Sequence, residues 1–204
     1  MMIENLRYPA ITISLAICGI FIFMAQIKAA DNTHLHSPYA GEQNRKIKTL
    51  SPDDIQQLSD GRGWGLAKAA ELNGIPGPAH LLEMKNEIAL SNEQIEKIQR
   101  LFDEMKNQAQ PLGKQLIHLE EELNVAFATN NIDKESLKNK LAAIEKVRAD
   151  LRYVHLVTHL ETPSILSPEQ IDKYNKLRGY TNDPCLHIPK GHDREMWLKH
   201  NGCK

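Results

Sequence analysis

From Ile95 onwards, apolar side chains recur at Ile95, Ile98, Phe102, Met105, Ala109, Leu112, Leu116, Leu119 and Leu123, in steps of three and four residues. This is one stripe of an α-helix turned toward a neighbour, and such a helix is not stable alone. Asn130-Asn131-Ile132-Asp133 interrupts the pattern as a turn, with Asp133 placed to cap the next helix. The stripe resumes at Leu137, Leu141, Ile144, Val147, Leu151, Val154 and Thr158. Two such helices joined by a short turn lie antiparallel, which predicts a long αα-hairpin. Pro111 falls inside the first arm and removes one backbone hydrogen bond. The stripe continues across it, so a kink is expected there and not a break.

A hexapeptide recurs around this hairpin: Leu50-Ser51-Pro52-Asp53-Asp54-Ile55, Leu90-Ser91-Asn92-Glu93-Gln94-Ile95 and Leu166-Ser167-Pro168-Glu169-Gln170-Ile171. Each position has a local reason. Ser is the N-cap, Pro or Asn the first helical residue, and the acid sits where the helix dipole favours negative charge. Gln94 and Gln170 fall where a side chain reaches back to the cap residue's N–H, while Leu before the cap and Ile after it staple the turn. Helices are therefore expected to start near residues 52, 92 and 168. Between the first two starts, the glycines and prolines of residues 61–78 predict short pieces joined by turns: one helix over 66–73, stopped by Gly74, and another over 79–89. A last helix covers about 168–178, and no strand-like alternation of useful length appears. The fold class is all-α, a long antiparallel helical hairpin flanked by short helices.

Ahead of the helical part, a stretch carrying Arg7 leads into apolar residues 10–27 and then Lys28-Ala29-Ala30-Asp31, the order of an export signal. Cleavage after Ala29 is one outcome. An uncleaved anchor is the other, since about 18 apolar residues at 1.5 Å each span roughly 27 Å of bilayer. Either way the remainder is delivered outside the cytoplasm. A lipoprotein signal at Cys18 is disfavoured by Ile17, which stands where a small residue is needed. The chain thus divides into a signal peptide (1–29), a polar, aperiodic flexible segment (30–49), a helical domain (50–180) and a tail rich in Cys and His (181–204).

The formal charge of −1 and the 5% aromatic content supply neither the basic patch nor the stacking platforms that a nucleic-acid partner requires. Past the signal only Cys185 and Cys203 remain. An even pair in an oxidising compartment is most simply a disulfide, and closing a loop of this length stabilises by about 3 kcal/mol in the chain-entropy model. With free thiols, Cys185, His187, His192, His200 and Cys203 would instead make a set able to ligate zinc or copper.

The paired elements LSNEQ and LSPEQ resemble the L-T-x-x-Q signature of the Spy/CpxP family, with Ser in place of the usual Thr, and the resemblance covers roughly residues 75–180. The order of elements matches too: export signal, short helix, motif, long helix, turn, long helix, motif, short helix. The family implies a periplasmic, ATP-independent chaperone that works as an antiparallel homodimer holding unfolded proteins. Its other branch implies a sensor or resistance protein for heavy metals, with a membrane sensor as a possible partner.

Residues that carry chemistry are few. His155 and His159 stand four apart on one helix, so both imidazoles project from the same face and can share an ion such as zinc, copper or nickel. The alternative is a pair on the partly exposed flank of the stripe. His80, followed by Glu83 and Glu87, is the place to seek a third ligand, echoing the family's metal sensors. His155-Leu156-Val157-Thr158-His159 lacks the Glu of a zinc-protease helix, and no nucleophile elbow, phosphate loop or C-x-x-C pair is present. A binding protein is expected, not an enzyme, with client holding first and metal binding as the alternative.

Overall fold

The computed structural model describes residues 37–181, 184–185 and 188–203. The signal or anchor over 1–29 and the first residues of the flexible segment therefore lie outside the described residues. Residues 1–40 and 41–204 are separate compact units. Of the first, residues 37–40 form a turn closed by the Ala40 N–H on the Ser37 carbonyl, 3.0 Å.

The second unit consists of helices α1 (Pro52–Ser59), α2 (Lys68–Glu71), α3 (Pro78–Glu83), α4 (Asn92–Ala128), α5 (Lys134–Glu161), α6 (Pro168–Arg178) and α7 (Arg194–His200), with single 3-10 turns at Glu42–Asn44 and Thr162–Ile165. No strand occurs among the described residues. The three hexapeptides start α1, α4 and α6 at the expected residues. In each, the Ser hydroxyl accepts the N–H three residues on, and that residue's side chain accepts the Ser N–H. Asp133 caps α5 by accepting from the Ser136 N–H at 2.7 Å. Helix α4 runs through Pro111 without a break.

α4 and α5 form the hairpin, and its seam is the core: Met105, Ala109, Leu116, Ile144, Val147, Leu151 and Val154 are buried along it, with Phe102 and Leu112 partly so. α1 lies against α4 so closely that a Cβ at Gly113 would run into the carbonyl oxygen of Leu58. Ile47 and Leu50 fill the same core. The segment expected to be flexible over 30–49 is thus pinned in its second half. Asn124 joins it from α4, accepting from the Lys48 N–H and donating to the Lys46 carbonyl, both at 3.3 Å. The Thr49 hydroxyl donates to buried Glu120 at 2.9 Å, and Arg148 completes that carboxylate at 3.0 Å. A stripe-based reading misses this anchoring because it rests on one isoleucine and on polar partners from distant helices.

Two short helices also differ from expectation. Over 66–73 only Lys68–Glu71 is helical, though Gly74 does end it in a left-handed turn, φ 77°. The helix expected over 79–89 stops at Glu83. The chain then turns, ending on Ala89 with φ 57°, and this drops Ile88 and Leu90 into a second core with Leu81, Ile98 and Tyr174. Burying those two side chains outweighs one more turn of exposed helix.

This second core sits at the open end of the hairpin, where the two LSxEQ elements meet. Gln94 donates to the Gln170 side-chain oxygen at 2.8 Å and Gln170 donates back at 3.0 Å. Each amide also donates to a carbonyl of the other's neighbourhood, Gln94 to Ile165 and Gln170 to Ala89. Each amide oxygen in addition accepts from its own cap serine, so both amides are fully satisfied. Replacing either glutamine by alanine should cost about 1–2 kcal/mol, with a coupling of roughly 1 kcal/mol in the double-mutant cycle. Urea denaturation reads this. Strictly additive losses would mean that the two motifs act as independent caps.

Candidate functional site

The last turns of α5 present Leu151, Val154 and Thr158 to the core, and the same face carries His155 and His159. Both imidazoles are buried, at 3% and 5% exposure. They do not lie on a partly exposed flank, because residues 75–77 fold down over the end of α5. The His159 Nδ1–H donates to the Ile75 carbonyl at 2.9 Å. Gly77 is pressed onto the same ring, and a Cβ there would collide with it. Glycine is required here for close approach, since its φ of −106° is open to any residue.

His155 is placed differently. Its Nε2 is buried and has no hydrogen-bond partner among the described residues. Burial, with the neighbouring His159 adding to it, lowers its pKa from 6.5 to about 4. The ring is therefore neutral at pH 7. His80 comes from α3. Its Nδ1 meets the Glu83 carboxylate at 2.8 Å and its Nε2 lies 3.5 Å from Glu71. Glu87, the other acid placed beside His80 by spacing, makes no salt bridge or hydrogen bond to it. Nothing in the sequence pattern marks Glu71. It sits on the short α2, brought to His80 by the turn at Gly74, and its far oxygen takes the Tyr180 hydroxyl at 3.1 Å.

All three histidines line one cavity of about 470 Å³. Its other walls come from residues 60–63, from Phe102, Met105 and Lys106 of α4, and from Glu71 and Glu83. Although they line one cavity, the imidazoles do not yet form a coordination sphere: among the described residues no three His, Cys, Asp or Glu side chains stand close enough together to hold an ion. The members that no sequence pattern marks, Glu71 and Lys106, carry no local signal. They become neighbours only through the packing of α2 and α3 across the hairpin.

The tail is built separately. Cys185 and Cys203 form a disulfide with Cα atoms 5.5 Å apart, and the Trp197 indole N–H donates to the Pro184 carbonyl at 2.7 Å. His192 stacks edge-on against Trp197 at 4.8 Å. His187 lies outside the described residues. With both thiols joined, the tail offers no thiolate ligand.

Among the described residues, no helix is long and apolar enough to cross a membrane. A family model described as heavy-metal resistance matches residues 66–173, more than half of the chain and the whole of the cavity except residues 60–63. No curated protein and no solved structure matches.

The buried imidazole makes stability depend on pH. His155 has a folded pKa below its unfolded value, so between pH 6.5 and about 4 the unfolded chain takes up a proton there that the folded chain does not. Stability contributed by this group is full above pH 6.5 and falls as the pH drops through that window, by roughly 3 kcal/mol at its lower edge. Denaturation of the apoprotein at pH 7 and pH 4.5 should show a loss for the wild type that His155→Gln, which cannot titrate, lacks. Parallel losses in both proteins would place the proton uptake elsewhere.

Proposed function

The chain belongs to the Spy/CpxP-like heavy-metal resistance family, and from that premise we propose that it is a non-enzymatic protein that binds a borderline transition-metal ion, zinc, copper or nickel, in the histidine-lined cavity. The observation that carries this is the His155 imidazole, which is buried, neutral and, among the described residues, unpartnered at Nε2 against the cavity. A buried polar atom left unsatisfied costs about 1–3 kcal/mol, and something that binds it removes that cost. A metal ion supplies one.

The neighbouring rings support the same reading. Metal-bound histidines usually donate their second ring N–H to a carbonyl or carboxylate, which fixes the tautomer. His159 does so to Ile75, and His80 Nδ1 has Glu83 beside it. That occupies Nδ1 in both rings and leaves coordination to Nε2, which in His80 lies 3.5 Å from Glu71. His155, His159 and His80 would hold the ion, and Glu71 is the nearest acid to join them. The set is nitrogen and oxygen, which suits zinc, copper and nickel better than ions that demand thiolates. Closing the set requires α3 to move toward α5.

Calorimetric titration with zinc, copper and nickel should give one site per chain. The His155→Gln, His159→Gln double variant should weaken it at least tenfold, and so should His80→Gln, which alters a half-exposed position with little risk to folding. Unchanged affinity in both variants would remove the proposal.

A second reading, holding of unfolded proteins by a homodimer, is favoured by the outward face of α5, where Tyr153 and Leu160 are 67% and 71% exposed, with half-buried Val157 between them. Large apolar groups aligned in this way mark an interaction surface. Both readings take the exported domain to work in the periplasm. Tyr153→Ser with Leu160→Ser should abolish suppression of aggregation of a denatured test protein without changing metal affinity. Undiminished suppression would exclude this face as the client surface.

A further inference from the structure

The cavity is large for an ion. A metal ion keeping two or three waters occupies on the order of 100 Å³, at about 30 Å³ per water, whereas the cavity measures about 470 Å³. That lies within the roughly 300–1,000 Å³ of sites that take small organic molecules. The protein donors are also too few. The two imidazoles of His155 and His159 leave at least two positions of a four-coordinate ion, and more of a six-coordinate one, without a protein ligand, and no third side chain among the described residues stands close enough to supply one.

The charges on the walls point to what fills the remainder. Asp60 is held by Arg62 at 3.1 Å and by Gln56 at 3.0 Å. Glu71 has Arg178 at 3.5 Å and Tyr180 at 3.1 Å, and Glu83 has His80. Among the described residues, Lys106 is the charged side chain of this cavity that makes no salt bridge or hydrogen bond, and it acts on Asp60 only through space. It is half-buried, and Gly61, with φ 66°, packs on the α4 backbone at its carbonyl. Phe102 and Met105, one turn and one residue before it, add an apolar wall.

Resting on the metal reading above, we propose that the ion enters as a chelate with a small organic carboxylate, the imidazoles of His155 and His159 taking one part of the coordination sphere and Lys106 binding a free carboxylate of the chelator. Uneven donor number, excess volume and a cation without a contact partner, on a wall where Asp60 and Glu71 are paired with arginines, are then one property: the ligand brings the donors that the protein lacks. No bond is made or broken beyond ligand exchange on the ion.

Equilibrium dialysis of the full-length protein against labelled citrate, with and without one equivalent of nickel(II), tests this. Citrate should be retained at one per chain with nickel and at least tenfold less without it. Lys106→Gln should lose citrate at least tenfold while nickel is still bound in citrate-free buffer, and Lys106→Arg should restore it. Nickel bound with no citrate retained, citrate retained equally without nickel, or wild-type retention by Lys106→Gln would each overturn the inference and leave the metal site intact. If the wild type binds no nickel in either buffer, the metal reading itself fails.

Discussion

Everything in this domain depends on how the open end of a helical hairpin is shut. Two long helices joined by a turn at one end are free to splay at the other, and the seam buries its apolar groups only while they stay together. The reciprocal amide pair of Gln94 and Gln170 joins the two ends directly. Each glutamine has already been fixed by its own cap, with its oxygen on the Ser91 or Ser167 N–H. The side chain that meets its partner is therefore held before they meet, so little rotamer entropy is left to lose. A motif that reads as helix-start chemistry is a tertiary clamp in its second role.

The clamp also sets the cavity. It anchors Ala89 and hence the turn that brings α3 back to the hairpin. From there Asn175 on α6 donates to the Gly74 carbonyl at 3.0 Å, fixing the start of the stretch that presses Ile75 and Gly77 onto His159. His159, which a free hairpin would show to solvent, becomes buried as Gly77 lies against its ring, and His155 is buried one turn before it. Burial then does the chemistry, keeping the His155 ring neutral, while its Nε2 has no hydrogen-bond partner among the described residues.

The long elements were legible in the sequence because they are set by local rules: stripe period, cap residues, and the Asn-Asn-Ile-Asp turn that places Asn130 at φ 51°. Where the chain follows tertiary packing, those rules fail. Helix propensity carries residues 79–89 as one helix, yet Ile88 and Leu90 are worth more in the second core. Ile47 is one apolar residue in a polar run, and only Asn124 and Glu120, more than seventy residues away, show that it is anchored. The pairing of His155 with His159 was readable from spacing, whereas their burial and the approach of Glu71 and Lys106 come from α2 and α3, whose paths are set by turns.

The two functional readings occupy different faces of one helix. On α5, His155 and His159 point into the cavity, and Tyr153, Val157 and Leu160 follow the same four- and three-residue steps on the outside. A rigid helix carries both without crowding, and a change on one face need not deform the other. What distinguishes the faces is energetic. An exposed tyrosine and leucine are tolerated on many surfaces and cost little, whereas a buried unpartnered imidazole costs stability in every folded molecule. This asymmetry gives the cavity greater weight than the outward stripe, although sequence alone put the client surface first.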